Sequence, residues 1–359
     1  METLLTILLF IVLLSVIIIV HECGHLIAAK AFGVYCQEFS IGMGPKLFSK
    51  KGKETEFSIR AVPFGGFVAM AGDTDNDLET KVDTNDIPYE RTLPGISRIK
   101  RIIIMLAGII MNAVLALVIV AMVILASGTY AKSPAAVVGD VMSGSPAEIA
   151  GLMAGDKIIE ARYDELNISI EPTSFEDFMT FTYGHDEDVL TIVYMRDGKV
   201  AETELTKVYM EDVGQMQYGI YAGESEVIDV NILNCWGCAI DYLAYATRSI
   251  FMALGQLFVG QGLENLSGPV GVFEVTSQAV SQGFSSYLLL IGLLSLNVGI
   301  FNALPLPILD GGRVLILLIE AIIRRPLNEK VINGLMYASM IIILGLFVFV
   351  TYQDITRLF

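Results

Sequence analysis

Two histidines and a glutamate near the amino terminus have a spacing suited to metal chemistry. The segment His21-Glu22-Cys23-Gly24-His25 follows the apolar run Leu4–Val20. On a helix, His21 and His25 lie one turn apart on one face, where both imidazoles can bind one zinc ion. Glu22 then lies beside the metal and can take a proton from water there. Because the motif continues an apolar run, this chemistry is predicted at membrane depth, where ionisable residues are costly and usually functional.

A candidate third ligand lies far along the chain, in the segment Asn302–Gly312 (NALPLPILDGG). Pro305 and Pro307 cannot continue a helix, so a preceding helix must open into extended chain before Asp310. Unwound backbone inside a bilayer is tolerated where it lines a cavity. Asp310 can therefore supply a carboxylate oxygen to zinc and leave the fourth position for water. Its alternative role is to cap the helix predicted over Arg313–Ile323.

Three further polar residues leave alternatives open. Glu320 is another possible third ligand, although it can more simply pair with Arg324 one turn later. Asn112, within an apolar segment, can hydrogen-bond another helix or face the metal site. The remaining histidine, His185, is predicted to be solvated in a loop and not to bind metal.

The elements that must hold these residues are membrane helices. The chain has 359 residues, is 54% hydrophobic and has a mean hydropathy of +0.62, which indicates an integral membrane protein with a soluble part. The first apolar segment is not expected to be a cleaved signal peptide, because it lacks a basic start and carries the metal motif where a cleavage site would lie. Four segments look able to span a bilayer: Leu4 to about Ala29, Ile102–Ser127, about Tyr287–Leu304 and about Ile332–Tyr352.

Charge is concentrated in one segment. Pro134–Asn234 holds 20 acidic and 5 basic residues, a net charge of −15 out of −16 for the whole chain. An acidic domain attached to a membrane core argues against nucleic-acid binding. Basic residues cluster after the first and third spans, which places those loops in the cytosol and the acidic domain outside. The clustered residues are Lys30, Arg98, Lys100, Arg101, Arg324, Arg325 and Lys330.

These observations predict a polytopic α-helical membrane protein with four transmembrane helices, a membrane-associated β-hairpin and an inserted extracytoplasmic β-rich domain. Residues 1–131 form an amino-terminal membrane core, and residues 132–228 form the inserted domain. Residues 229–286 form a juxtamembrane amphipathic region, and residues 287–359 form a carboxy-terminal membrane core. The hairpin is predicted over residues 57–70, as two strands joined at Pro63-Phe64-Gly65-Gly66.

Local signals within the acidic domain predict short elements. Ser145 and Pro146 are typical of a helix start, and Arg196-Asp197-Gly198-Lys199 is typical of a hairpin turn. The pair Cys235 and Cys238 follows this domain and is interpreted as incidental, because one CxxC cannot complete a four-ligand zinc site and lacks a thioredoxin-like context.

Taken together, these motifs resemble the site-2 protease family of intramembrane zinc metalloproteases, peptidase family M50, and particularly the bacterial regulators of σ-factor signalling. The resemblance covers nearly the whole chain: the histidine motif, the Phe64-containing glycine segment, a PDZ-like signature at Gly144–Ile159, and Leu309-Asp310-Gly311-Gly312. Two positions depart from common family patterns: Ile109 follows Gly108 where many members carry proline, and Arg313 follows Gly312 where some carry histidine.

The resemblance implies that His21, His25 and Asp310 bind Zn²⁺ and that Glu22 is the general base. It implies that substrate lies as an added strand on the 57–70 hairpin and near Asn302. The residues expected to bind substrate are Asn302, Pro305, Pro307, Phe64, Gly65, Gly66 and Phe67.

Several wider expectations follow from the same resemblance. The substrates are single-span membrane proteins such as anti-sigma factors or signal-peptide remnants. The cut is the second in regulated intramembrane proteolysis, with a site-1 protease product meeting the PDZ domain. The protein is expected in the bacterial cytoplasmic membrane, with its zinc site toward the cytosol.

Overall fold

The computed structural model describes residues 2–73, 86–182, 185, 189–210, 215–258 and 266–357. The chain divides into two compact units. The first consists of Met1–Val123 together with Ser267–Phe359, and the second is Ile124–Leu266. The second unit is therefore inserted, in sequence, between the two parts of the unit that carries the candidate metal ligands.

Long helices dominate the first unit, and short strands dominate the second. The helices are α1 Glu2–Ala31, α2 Arg98–Ser127, α3 Pro146–Ile149, α4 Phe175–Thr182, α5 Cys235–Phe258, α6 Pro269–Gln282, α7 Phe284–Asn302, α8 Asp310–Ile323 and α9 Glu329–Arg357. The strands are β1 Cys36–Lys51, β2 Glu56–Met70, β3 Thr129–Ala131, β4 Val138–Val141, β5 Lys157–Tyr163, β6 Ile168–Ile170, β7 Leu190–Arg196, β8 Lys199–Leu205, β9 Val208–Met210, β10 Gln215–Gln217, β11 Ile220–Ala222 and β12 Val227–Asp229.

Among the described residues, four helices are long and apolar enough to cross a bilayer. They are Leu4–Ala31, Arg98–Ser127, Phe284–Asn302 and Lys330–Arg357. These four candidate spans agree in number with the prediction. Helix α5 contains Asp241 and Arg248 and does not meet the same criterion over its described residues.

Helices α1, α2 and α7 pack around a shared apolar cluster. Leu13 and Ile17 from α1, Ile119 from α2, and Tyr287 and Ile291 from α7 are all buried in it. Tyr287 also donates a hydrogen bond from its hydroxyl to the carbonyl oxygen of residue 9, at 2.9 Å. The apolar residues of these helices therefore both favour the bilayer and hold the three helices together.

The predicted hairpin over residues 57–70 is wrong in its pairing. Residues 57–62 and 66–70 are extended as expected, but each pairs with β1 and not with the other: Phe39 faces both Phe57 and Val68, and Ile41 faces both Ile59 and Gly66. The first half of β1 therefore lies between the two halves of β2, and the second half of β1 pairs with the start of β2 from Lys51 opposite Glu56.

Glycines in β1 explain why the local turn signal misled. Gly42 and Gly44 have φ angles of 85° and 80°, which bend the strand and favour glycine. A Cβ atom at Gly42 would lie 2.5 Å from the carbonyl oxygen of Val62, so a larger residue would push the two strands apart. With this bend, β1 takes the place beside residues 66–70 that the sequence analysis had given to residues 57–62.

The second unit contains an antiparallel sheet in the order β6-β5-β7-β8. Arg196 pairs with Lys199, and the two turn residues Asp197 and Gly198 have φ angles of 49° and 76°. This confirms the predicted hairpin turn, in which both central residues take positive φ. The predicted helix start is also confirmed, because the Ser145 side chain accepts a hydrogen bond from the backbone of Glu148.

The prediction that His185 is solvated is wrong. Its side chain is 1% exposed and stacks on the Tyr163 ring at a centroid distance of 4.4 Å. Tyr163 belongs to the apolar core of the second unit and contacts the Tyr218 hydroxyl at 3.0 Å. The polar residues flanking His185 suggested an exposed loop, but aromatic stacking against a distant strand buries the ring.

An ion pair stabilises the turn before β5. Asp156 is 1% exposed, and its two carboxylate oxygens accept hydrogen bonds of 2.6 Å each from Arg196. Burial tends to raise the pKa of Asp156, but Arg196 and the backbone N–H of Met153 lower it on balance. The ionised carboxylate is therefore favoured in the folded state.

We expect Arg196→Met to lower the free energy of unfolding of the second unit at pH 7, because the buried Asp156 carboxylate loses its hydrogen-bond partner. A lowered pKa contributes stability above about pH 4, and that stability is lost as the pH falls through the folded-state pKa. The difference between variant and parent should therefore shrink below pH 4. Hydrogen exchange of the β5 and β7 amides measures this difference in the full-length parent and variant at pH 7 and below pH 4. An equal difference at the two pH values would contradict the account.

Candidate active site

Helix α1 presents both histidines on one face, as their four-residue spacing requires. The His21 and His25 side chains are nearly buried, and their Nε2 atoms lie 3.2 Å apart. The motif stands in the second half of a helix that begins at Glu2, within a candidate membrane span.

Asp310 joins the two histidines as the first residue of α8. Its Oδ2 atom lies 3.1 Å from Nε2 of His21 and 3.3 Å from Nε2 of His25. In the part of the chain that the structure describes, these three residues are the one His, Cys, Asp or Glu group whose ligand atoms converge closely enough to hold a metal ion.

The spacing of these three atoms fits zinc. Zinc bonds of about 2.0–2.1 Å in a tetrahedral arrangement place neighbouring ligand atoms about 3.3–3.4 Å apart. The observed separations are 3.1, 3.2 and 3.3 Å. Oδ2 of Asp310 is buried and has no hydrogen-bond partner among the described residues, as expected for an atom that binds a cation.

Two glycines after Asp310 allow α8 to begin where it does. A Cβ atom at Gly311 would lie 2.2 Å from the carbonyl oxygen of Ala303, and one at Gly312 would lie 2.1 Å from that of Leu306. Helix α7 ends at Asn302, and the two prolines that follow keep the intervening chain out of the helix. The short non-helical segment can therefore fold against the first turn of α8 and direct Asp310 toward α1.

Helix α2 contacts both imidazoles through residues spaced four apart. Nδ1 of His25 lies 2.8 Å from the carbonyl oxygen of Ile104, and Nδ1 of His21 lies 3.4 Å from Nδ2 of Asn112. Between them, a Cβ atom at Gly108 would lie 2.5 Å from Nε2 of His25. Of the two alternatives for Asn112, the structure shows the one in which it faces the histidines.

A cavity of about 320 Å³ opens onto this cluster, and Glu22 lines it. A Cβ atom at Gly66 would lie 3.4 Å from Cγ of Glu22, so the β2 backbone runs close to the glutamate. The described lining residues are His21, Glu22, His25, Met43, Gly66, Phe67, Val68, Met70, Asp73, Met105, Asn302, Ile308, Leu309, Asp310 and Arg313.

The residues expected to bind substrate are divided by this cavity. Gly66, Phe67 and Asn302 line it, whereas Gly65 and Pro305 are not among its described lining residues. Pro307 lines a neighbouring cavity of about 240 Å³. The side chain of Phe64 lies outside the described part of the chain.

Sequence reasoning missed Met43 and Arg313 as lining residues. Arg313 follows Asp310 by three positions on the same helix, so its place on the same face was available as a signal. Its Nη1 lies 3.8 Å from Oδ2 of Asp73, which also lines the cavity. Met43 had no local signal, because only the bend in β1 carries it to the site.

Phe67 is held from behind by a charged network. The Arg60 guanidinium lies 4.9 Å from the centre of the Phe67 ring, a cation–π distance. Arg60 in turn donates to the carboxylate of Glu38, which is 1% exposed and accepts a further bond from Ser58. Burial tends to raise the pKa of Glu38, but its hydrogen bonds from Ser58, Lys46 and Arg60 lower it on balance.

Glu320, the alternative third ligand, lies elsewhere. Its Oε1 accepts a hydrogen bond from the backbone N–H of Leu327, and the residue lines the neighbouring cavity. It does not belong to the converging ligand group found among the described residues. The structure therefore favours Asp310 over Glu320.

Known proteins resemble this chain over its full length. The sequence profile of Peptidase family M50 matches residues 9–346. The zinc metalloprotease RasP of Shouchella clausii is 30% identical and that of Bacillus licheniformis is 31% identical, each over 99% of this chain and 99% of the relative. The regulator of sigma-W protease RasP of Bacillus subtilis is 28% identical over the same shares.

These similarities and the four apolar helices agree on a multi-pass membrane protein that works in a lipid environment on membrane protein substrates. Its cofactor is Zn²⁺. The chain belongs to Peptidase family M50 and is a zinc metalloprotease of the site-2 protease type.

Proposed function

We propose that His21, His25 and Asp310 hold the catalytic zinc and that Glu22 is the general base. The observation that carries this proposal is the convergence of three ligand atoms at 3.1–3.3 Å beside a cavity that Glu22 also lines. Three protein ligands leave a fourth position for water or substrate, which is the arrangement of catalytic and not of structural zinc sites.

When bound here, zinc supplies Lewis acidity to the scissile carbonyl and to the attacking water. Glu22 accepts the proton of that water and delivers it to the leaving nitrogen. Asp310 and the two histidines keep their orientation through the start of α8 and the contacts from α2. The three side chains are nearly buried, which limits competition from bulk water and strengthens each electrostatic contact.

The substrate proposed for this site is a transmembrane segment of a single-span membrane protein. A helical segment hides its peptide bonds within its own hydrogen bonds, so it must unwind before cleavage. The extended backbone at Gly66 and Phe67 lies beside Glu22 and is suited to pair with an unwound substrate strand. Asn302 lies much later in the chain but lines the same cavity, where it supplies a side-chain amide.

The inserted segment is proposed to be a PDZ domain of residues 132–228 that lies outside the cell, followed by the juxtamembrane region 229–286. The signature at Gly144–Ile159 and the sheet around β5 and β7 support it.

The two membrane cores are residues 1–131 and 287–359, with the zinc site toward the cytosol of a bacterial cell. In this arrangement a prior cut by a site-1 protease precedes the cut made here, on substrates such as anti-sigma factors or signal-peptide remnants.

A reconstituted assay tests the reaction. Purified full-length protein in lipid nanodiscs is mixed with a single-span membrane protein whose ectodomain is either intact or trimmed. We expect zinc-dependent cleavage of the trimmed form, with mass spectrometry placing the cut within or next to the span. Cleavage confined to soluble parts of the substrate would contradict the proposal.

A matched pair of variants tests the third ligand. Asp310→Asn removes the anionic ligand. Loss of a residue that only hydrogen-bonds to a metal ligand weakens metal binding about 10–100-fold, and Asp310→Asn should weaken zinc binding by more than that. Glu320→Gln should bind zinc like the parent, because a glutamine oxygen can still accept the hydrogen bond from Leu327. Zinc affinity of the purified proteins, measured by competition with a chromogenic chelator, decides between them. Loss of zinc in Glu320→Gln alone would transfer the ligand role to that residue.

A further inference from the structure

The face of α2 that meets the histidines supplies a different partner to each imidazole. Ile104, Gly108 and Asn112 follow one another at four-residue intervals and therefore lie along one stripe of the helix. Ile104 contacts His25 through its backbone, and Asn112 contacts His21 through its side chain. Gly108 leaves room for both rings, since a Cβ atom there would lie 2.7 Å from Cε1 of His21.

The contact at His25 shows what orientation requires. A backbone carbonyl can only accept a hydrogen bond, so Nδ1 of His25 must carry the hydrogen that points at Ile104. Nε2 then presents its lone pair toward His21 and Asp310. Metal-binding histidines commonly have their free ring nitrogen held in this way.

Asn112 is placed to do the same for His21. It is 0% exposed, and its Oδ1 has no hydrogen-bond partner among the described residues. A half-turn of the amide exchanges Oδ1 and Nδ2 and brings the oxygen to Nδ1 of His21, where Nδ2 lies at 3.4 Å. Oδ1 then accepts the Nδ1 hydrogen, and the lone pair of Nε2 faces the metal position. The opposite orientation would put the hydrogen on Nε2, between His21 and Asp310, and block that position.

A second contact joins the backbone of Asn112 to α7. The Ser295 hydroxyl on α7 donates to the backbone carbonyl oxygen of Asn112 at 2.9 Å. A Cβ atom at Gly299, one turn later on α7, would lie 3.5 Å from Cβ of Asn112. Helix α7 therefore packs close to Asn112, while the side-chain amide of Asn112 reaches His21 on α1.

We propose that Asn112 is a positioning residue, which selects the His21 tautomer that can bind zinc by accepting the Nδ1 hydrogen. This inference rests on the proposed function, because it assumes that His21 is a zinc ligand. It assigns a role to a polar side chain that is neither in the converging ligand group nor among the described residues that line the cavity.

The test compares two replacements of similar size in the purified full-length protein. Asn112→Leu removes the acceptor, and we expect zinc to bind about 10–100-fold more weakly. Asn112→Asp retains an acceptor and should bind zinc within about threefold of the parent, well inside the loss that an outer partner costs. Ser295→Ala removes the interhelical hydrogen bond but not the acceptor, and should also stay within about threefold. Zinc affinity is measured by chelator competition, independently of cleavage.

The zinc-free unfolding temperature of each variant in detergent separates orientation from folding. Equal temperatures with weaker zinc binding in Asn112→Leu support the inference, and restoration by aspartate identifies the acceptor. Parent-like binding by Asn112→Leu, or equal losses in the leucine and aspartate variants, would overturn it. Parent-like binding by His21→Ala would instead overturn the proposed zinc site itself, so the two failures are distinguishable.

Discussion

Replacing Glu22 with glutamine should abolish cleavage while leaving the zinc content of the protein unchanged. The glutamine side chain fills the same space in the cavity but cannot accept a proton from water. General-base catalysis contributes about 10²–10⁴-fold, so turnover of a single-span substrate should fall by at least that range. Metal analysis and cleavage rates on the same preparation measure the two properties together.

The contrast with the ligand variants makes this result specific. Asp310→Asn should lose zinc and cleavage together, whereas Glu22→Gln should lose only cleavage. If Glu22→Gln retained turnover, another group would have to serve as base. If it lost its zinc, Glu22 would act as a ligand and the assignment of three protein ligands would be wrong.

Substituting alanine for Gly108 should remove both zinc binding and cleavage. A Cβ atom there would lie 2.5 Å from Nε2 of His25 and 2.7 Å from Cε1 of His21, well inside contact distance. The backbones of α1 and α2 also approach closely beside this position, because a Cβ atom at Gly24 on α1 would lie 2.4 Å from the carbonyl oxygen of Ala107 on α2. Either the two helices separate or the imidazoles turn away, and both outcomes disperse the three ligand atoms.

A glycine in another span supplies the control. Gly345 lies in α9, and a Cβ atom there would meet nothing within 4 Å. Gly345→Ala should therefore bind zinc and cleave substrate like the parent. The alanine should slightly stabilise helix α9, because its helix propensity is higher than that of glycine. Zinc binding by Gly108→Ala at the affinity of the parent would show that close approach of α2 is not needed for the site.

The main elements of the site could be predicted because each leaves a local pattern. Four-residue spacing within an apolar run places His21 and His25 together, and the two prolines before Asp310 predict an interrupted helix at the right position. Apolar runs of adequate length predict the four spans. These features depend on helix geometry and on the cost of exposing backbone to lipid, both of which act over a few residues.

The hairpin failed for the opposite reason. The turn residues at 63–66 could be read from the local sequence. Strand pairing, however, depends on which extended segment can approach, and here that segment is β1, which bends at Gly42. His185 failed in a similar way, because its burial depends on an aromatic ring 22 positions earlier in the chain, at Tyr163.

The amino-acid sequence by itself determined which groups are available for chemistry: two imidazoles and a glutamate on one helical turn, a carboxylate after a broken helix, and enough apolar length to hold them in a bilayer. Only the tertiary structure decided how these groups are oriented. The contacts that orient the histidines come from Ile104 and Asn112, 79 and 91 positions away in the chain. Such contacts depend on how closely α1 and α2 approach each other, and no periodicity within either helix encodes that distance.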